Sequence, residues 1–286
     1  MKIYALETGK FKIDAGPMFG VIPKSMWAKV CPSDENNMCT LANRCLLAVT
    51  EQRMVLIDAG VGNKVTEKLV KQTQYETGKD IVYALKEKGF RPEQITDVIF
   101  THLHYDHCGG AVDYNGDDRH DFRRVFPNAT HHISRKQWEW ALTPNRRESA
   151  AYPPEYVVPM EDYNLNLVEQ PGELLPGIEI IMCDGHTPGQ MIPIISTGTY
   201  KIAFGGDLVP SSAHVPLLWI SAYDVFPLTV IEEKERFLNR CADEGIYICF
   251  EHDPVYEAAL LQHGVKGAEI KETLTVERIQ LKHNAG

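Results

Sequence analysis

The chain has 286 residues, 44% of them apolar and 24% charged, with 29 basic against 39 acidic side chains and a net charge of -10. That apolar fraction excludes a disordered or fibrous chain, and the length supports a large core. Excess carboxylate repels phosphate, so a nucleic-acid partner is disfavoured.

The first residues, MKIYALETGKFKID, carry no uninterrupted apolar run and read as an opening strand, not a signal peptide. No apolar stretch approaches the roughly 20 residues that span a bilayer, so no membrane partner is expected. Further runs that read as strands are Cys45 to Thr50, Met54 to Asp58, Asp97 to Phe100, Ile178 to Cys183, Met191 to Ser196, Lys201 to Phe204 and Ile246 to Phe250. Helical spacing marks Ile81 to Gly89 and Thr229 to Gly245, each closed by a glycine. Strands come first as a meander and later alternate with helices, which predicts a mixed α/β (α+β) chain. Proline-rich Tyr152 to Pro159 and Pro171 to Pro176 read as surface connections. No linker or repeat divides the chain, so one domain over 1–286 is expected. Its seven cysteines, at 31, 39, 45, 108, 183, 241 and 249, form no CxxC pair; reduced thiols in a cytoplasmic protein are the simplest reading.

The informative segment is Ile99-Phe-Thr-His-Leu-His-Tyr-Asp-His-Cys-Gly-Gly110. His102, His104, Asp106 and His107 place four metal donors within six residues at the end of an apolar strand. His102 and His104, two apart in extended chain, can point to the same side. Asp106 and His107 lie at the glycine turn and can address a second position. Imidazole and carboxylate without thiolate suit zinc, manganese or iron. Three further candidates each follow an apolar strand: His186 in DGHTPGQ, Asp207 in GGDL and His252 in EHDP. Donors at successive strand ends are what a rigid sheet-edge site requires. Cys108 adjoins His107 but reads as a nearby thiol, not a ligand.

At these residues the sequence resembles the metallo-β-lactamase-fold hydrolases: HxHxDH at 102–107, then GHTPG, GGD and the late EHDP histidine occur in the family's order along nearly the whole chain. The resemblance implies a four-layer αβ/βα sandwich with two divalent metal ions, zinc foremost, in a cleft at one edge of two sheets. DAGPMFGVIPKSMW, DAGVGNK at 58–64 and SAHVPLLWISAYDVFP at 212–227 are similar to the subgroup that contains quorum-quenching N-acyl homoserine lactone lactonases. Carried over by position, one metal would be held by His102, His104 and His186, the other by Asp106, His107 and His252, with Asp207 bridging. Asp58 matches a family position of hydrogen-bonding and loop support. Two cations sharing a water would lower its pKa and supply hydroxide to a lactone or ester carbonyl. Asp106 is then the candidate to relay a proton to the leaving oxygen.

One departure stands out. The lactonases carry a tyrosine three residues after the bridging Asp, where it contacts the substrate carbonyl, and here that position is Pro210. His214 or Tyr223, in the following loop, is the candidate replacement. Met18, Phe19, Ile22, Met26 and Trp27 read either as the wall of an acyl-chain pocket or as ordinary core. The leading expectation is a zinc-dependent lactonase acting on a small-molecule lactone or ester. A phosphotriesterase or arylesterase on the same metals is the alternative. An iron-dependent oxidoreductase is disfavoured by His104, where those proteins place a carboxylate, and by the lack of a flavin domain. A glyoxalase-type thioesterase is disfavoured because the sequence shows no clear C-terminal basic cluster, and a nuclease is disfavoured by the acidic balance and the absence of an added domain. A homodimer is implied by the resemblance alone.

Overall fold

The computed structural model describes residues 1–116 and 118–284. It forms two compact units: unit 1 comprises Met1–Gly9, Asn43–Pro171 and Gly189–Met191, and unit 2 comprises Lys10–Ala42, Gly172–Pro188 and Ile192–Gly286.

Unit 1 is built around a six-stranded sheet in the order Lys2–Asp14, Met38–Val49, Met54–Ile57, Asp97–Ile99, Thr130–Ser134, Leu165–Val168, its first two strands continuing along the chain into unit 2. The last four strands run parallel, with Val55 opposite Asp97, Val98 opposite His131 and His132 opposite Asn166. Parallel neighbours need a crossover. Helix Ile81–Glu87, whose N-terminus Asp80 caps through the Tyr83 amide, lies between Met54–Ile57 and Asp97–Ile99 in the chain. Helix Arg135–Leu142, capped by Ser134, lies between Thr130–Ser134 and Leu165–Val168, the last parallel pair. Leu6, Leu47, Leu56, Val98, Phe100, Leu103, Phe126 and Tyr156 belong to the apolar core of this unit.

Unit 2 carries most of a seven-stranded sheet, ordered Gly267–Leu274, Ala258–Gly264, Tyr247–Cys249, Lys201–Phe204, Gln190–Ser196, Ile178–Cys183, Gly172–Leu175. A parallel pair in it sets Ala203 opposite Ile248. Between these two strands runs helix Pro227–Glu244. Proline at its first turn, where the missing N–H costs nothing, and Gly245 at φ 65° bound it. Val230, Phe237, Leu238 and Cys241 recur on one helical face and are buried with Ile192, Ile194, Ile248 and Phe250.

The observed elements match the expected mixed α/β composition, with two strands much longer than expected and several elements shorter by a residue or two. The opening strand runs to Asp14, not Glu7, and the second begins at Met38 instead of Cys45. Both proline-rich connections are structured. Tyr152 to Pro159 contains a turn of helix, Pro154–Val157, and buries Tyr152, Tyr156 and Val157, while Pro171 to Pro176 contains the strand Gly172–Leu175. Among the described residues no helix is long and apolar enough to cross a membrane, and all seven cysteines are free thiols.

Candidate metal centre

Unit 1 holds its donors at the carboxyl ends of two parallel strands. Asp58 follows Ile57, and Thr101-His102 follows Ile99 by way of Phe100. Asp58 is fully buried and adopts φ 56°, a left-handed conformation that costs a non-glycine residue. Three contacts hold it there. Its carboxylate accepts from the Thr101 amide at 2.7 Å and the Thr101 hydroxyl at 2.7 Å, and lies 3.1 Å from Nδ1 of His107. The His107 proton is thereby placed on Nδ1, which makes Nε2 the nitrogen that would meet a metal ion.

His102 and His104 turn toward one another, with His102 Nε2 and His104 Nδ1 2.9 Å apart. Glu148, only 5% exposed, supports His104 from the other side at 3.4 Å from Nε2. Its second oxygen accepts from the Trp140 indole at 2.8 Å and the Asn145 amide at 3.0 Å. Asp106 begins the helical turn Tyr105–Cys108, and its Oδ2 is 4.0 Å from His107 Nε2. Asn43 donates to the Asp106 carbonyl at 2.9 Å and accepts from the Val61 amide and the Thr8 hydroxyl.

The glycines of DAGVGNK follow from how tightly this loop meets the turn after HxHxDH. Gly62, at φ 74°, lies so close to Gly109 and Gly110 that a Cβ would fall 2.8 Å from the Gly109 carbonyl oxygen. Ala59 N–H donates to the His107 carbonyl at 2.7 Å and Gly110 N–H to the Gly60 carbonyl at 2.9 Å. Buried Lys64 donates to the carbonyls of Gly109 and Val112, with its ammonium 4.3 Å from the Tyr156 ring centroid. Cys108 donates to the Leu103 carbonyl, and burial pushes its thiol up to about 12; it is a packing residue, as expected.

Unit 2 supplies three donors. Asp207 and His252 each lie three residues beyond the ends of the parallel strands Lys201–Phe204 and Tyr247–Cys249, and His186 follows Ile178–Cys183. The two oxygens of Asp207 face two different imidazoles: Oδ2 is 3.1 Å from His186 Nε2 and Oδ1 is 3.2 Å from His252 Nε2. Each imidazole is oriented through its other nitrogen. His186 Nδ1 donates to Asp224 at 2.9 Å, and His252 Nδ1 donates to the Ala42 carbonyl at 2.9 Å. Burial alone would lower the His186 pKa, but the carboxylates of Asp207 and Asp224 hold it up at about 10. Glu233, on helix Pro227–Glu244, accepts from the amides of Asp184 and Gly185, and Gly185 is required because a Cβ there would meet the Val230 nitrogen at 2.5 Å.

The donor chemistry fits divalent cations. Buried imidazoles and carboxylates whose second atoms are already committed to protein partners present lone pairs to a positive charge. Within each unit, the donor atoms of His102 and His104, of Asp106 and His107, and of His186 and Asp207 are within 4.8 Å of each other.

Unit 2 also contains a cavity of about 250 Å³ beside His252, walled by Met18, Phe19, Leu41 and Pro254 with Ser211 and His214 on its polar side. His214 is buried, and Tyr223 is largely exposed on a turn held by Ser221. Of the apolar run expected near this cavity, Met18 and Phe19 line it. Trp27 stacks on Phe19 at 5.4 Å, while Met26 faces solvent. Glu148, Asp224 and Glu233, the carboxylates that aim the donors and their loop, were not singled out by the sequence reading, because nothing local distinguishes them from surface acids.

Residues 41–252 match the metallo-β-lactamase superfamily. An N-acyl homoserine lactonase from Bacillus cereus is 32% identical over 171 residues, 56% of this chain and 61% of that relative, so the match spans less than two thirds of the lactonase. A probable metal-dependent hydrolase from Staphylococcus aureus superposes with a TM-score of 0.85 at 31% identity, over 96% of this chain and 98% of that one. AidC, a dizinc quorum-quenching lactonase solved with a homoserine product, has the same fold, with a TM-score of 0.77 at 20% identity over 96% and 93% of the two chains. The chain therefore belongs to the metallo-β-lactamase superfamily and has its mixed α/β fold, with the family's metal-dependent hydrolases among its relatives.

Proposed function

We propose that this protein is a single-domain, cytoplasmic, dinuclear zinc lactonase that opens the ring of N-acyl homoserine lactones. The observation that carries the reading is Asp207, whose two oxygens each face a separate buried imidazole, as a carboxylate shared between two cations must. His102, His104 and His186 would hold one ion, and Asp106, His107 and His252 the other. When bound, the two ions supply Lewis acidity at the carbonyl and bring the pKa of water toward neutrality.

The chain's own groups do the rest. The apolar wall of Met18, Phe19 and Leu41 receives the acyl portion and excludes water. Asp106, the most exposed of the unit 1 donors, holds a proton for the leaving ring oxygen. Asp58, Glu148, Asp224 and the Ala42 carbonyl fix tautomer and ring orientation, so the donors need not reorganise during the reaction.

The decisive test is a hydrolysis panel with zinc-loaded protein: acyl homoserine lactones, aryl esters, phosphotriesters and β-lactams, with ring-opened product measured by mass spectrometry. Turnover of the acyl homoserine lactones is the expected result. Turnover of aryl esters or phosphotriesters without lactones would replace this substrate with the arylesterase or phosphotriesterase alternative.

A further inference from the structure

Pro210 stands where the similar lactonases place a substrate-contacting tyrosine, and the residues that follow it form a pair the family resemblance does not supply. His214 Nε2 lies 2.8 Å from the Met18 carbonyl, and Ser211 Oγ lies 2.7 Å from His214 Nδ1. A carbonyl can only accept, so Nε2 carries the ring proton and Nδ1 of the neutral imidazole carries a lone pair. The Ser211 hydroxyl must then donate to Nδ1. Burial pulls the His214 pKa down to about 4, which keeps the ring neutral at ordinary pH, and stacking on Phe19 at 4.9 Å and 7° prevents it from turning.

Once its proton is given to His214, the Ser211 oxygen presents only lone pairs to the cavity it lines. Two other polar groups on that wall are engaged locally. Ser212 donates its amide and hydroxyl to Asp253, and Asp253 accepts from the amides of Val255 and Tyr256. Met18, Phe19, Val30, Leu41 and Pro254 form the apolar part of the wall, and Cys31, Thr40 and Tyr256 also line it. Ser211 is also held in place relative to a proposed metal donor, since the His252 amide donates to the Pro210 carbonyl at 2.9 Å.

We propose that Ser211 is the substrate-selecting residue of this enzyme: its oxygen accepts a hydrogen bond from the amide N–H of an N-acylated lactone, and His214 is the positioning residue that makes it an acceptor. Plain lactones, aryl esters and phosphotriesters carry no such donor. A site built to pair a substrate N–H discriminates against analogues that lack it far better than an apolar wall can. The inference rests on the lactonase reading above and adds to it the basis of selection among ester substrates.

The test measures kcat and KM with zinc-loaded full-length protein on N-hexanoyl homoserine lactone and on γ-decalactone, which shares the ring but has no amide. Ser211→Ala is expected to lower the ratio of the two kcat/KM values by about 10- to 100-fold, the effect of one lost hydrogen bond in a buried site, mainly through KM. His214→Phe preserves the stack on Phe19 but removes the acceptor, and should reproduce that fall. His214→Asn can accept from Ser211 and donate to the Met18 carbonyl, and should restore the ratio. Binding of ring-opened N-hexanoyl homoserine, measured calorimetrically, should weaken by the same factor in Ser211→Ala, with metal content unchanged. A ratio unmoved in both Ser211→Ala and His214→Phe, whether the two lactones lose activity equally or not at all, overturns the role of Ser211. Wild-type protein that opens neither lactone removes the lactonase reading, and this inference with it.

Discussion

Unit 1 takes its proposed metal donors from positions 102 to 107, a single stretch of chain, whereas unit 2 takes its own from positions 186, 207 and 252, three separate strand ends. The supports differ in the same way. In unit 1 one buried carboxylate, Asp58, fixes both the Thr101 backbone and the His107 tautomer. In unit 2 each imidazole has its own partner, Asp224 for His186 and the Ala42 carbonyl for His252. In a contiguous motif one anchor can serve several positions because they share a backbone, although His104 has a second support in Glu148, while dispersed donors each need their own. The comparison predicts that single losses in unit 1 propagate across several donors and that those in unit 2 stay local.

The largest effect is expected from the donors themselves. Asp207→Ala and His104→Ala should each lower hydrolysis by on the order of 10³-fold, since a donor supports the electrostatic stabilisation of the transition state. Metal content by mass spectrometry should separate them. Asp207→Ala, if that carboxylate serves two ions, should lose about two equivalents, and His104→Ala about one. Equal metal loss in both variants would break the bridging assignment.

The anchors come next. Asp58→Asn and Asp224→Asn preserve shape and should each cost about 10- to 100-fold in metal affinity. Asparagine tolerates the left-handed conformation that Asp58 adopts, so Asp58→Asn tests the hydrogen bonds and not the strain. Because Asp58 serves Thr101 as well as His107, its variant should also lower the melting temperature, and Asp224→Asn should do so less. The reverse ranking would show that the unit 2 donors are the more cooperative set.

Much of this was legible beforehand. HxHxDH is visible because four donors in six residues have no common structural explanation, and His186, Asp207 and His252 are visible because each ends an apolar run. The supports were not legible. Asp224 acts on a residue 38 positions away and Glu233 on amides 48 and 49 positions away, and no local pattern encodes such separations. Tyr152 to Pro159 read as a surface connection because prolines dominate it, yet proline is well suited to open the short helix Pro154–Val157. Met26 and Trp27 were grouped as apolar neighbours, but on a single helical turn only Trp27 points inward.

Acid stability offers a smaller test in which the units should behave alike. Each has a histidine kept neutral by burial: His131, between the rings of Phe100 and Tyr163, and His214 both fall to about 4. Between pH 6.5 and 4 the unfolded chain binds a proton at each position and the folded chain does not, so stability is lost as pH falls through that window. Each site contributes about 3 kcal/mol by pH 4. Asp97 acts lower down. Burial opposes its ionisation, but His132, Thr96 and Arg53 hold it at about 2, so its contribution is present above pH 3.8 and disappears toward pH 2. In urea denaturation at pH 7 and 5, His131→Phe and His214→Phe should each flatten the pH dependence by about 2 kcal/mol. An unchanged slope in either variant would mean that histidine is charged, or exposed, in the fold.

The smallest expected effects come from two buried lysines. Lys64 in unit 1 donates to the carbonyls of Gly109 and Val112, and Lys234 in unit 2 donates to those of Pro216, Leu217 and Trp219. Each ties backbone carbonyls of a connecting segment to a buried ammonium. Methionine keeps the length of the side chain but removes the ammonium donor from these carbonyls, a cost of about 1–3 kcal/mol in denaturant titrations. The functional consequences should differ. Lys64→Met loosens the turn directly after HxHxDH and should weaken metal binding. Lys234→Met loosens the 216–219 segment, which carries no proposed donor, and should leave metal affinity within about 2-fold of wild type. If Lys234→Met also released metal, loop order in unit 2 would be coupled to its donors, and the separation into local supports would fail there.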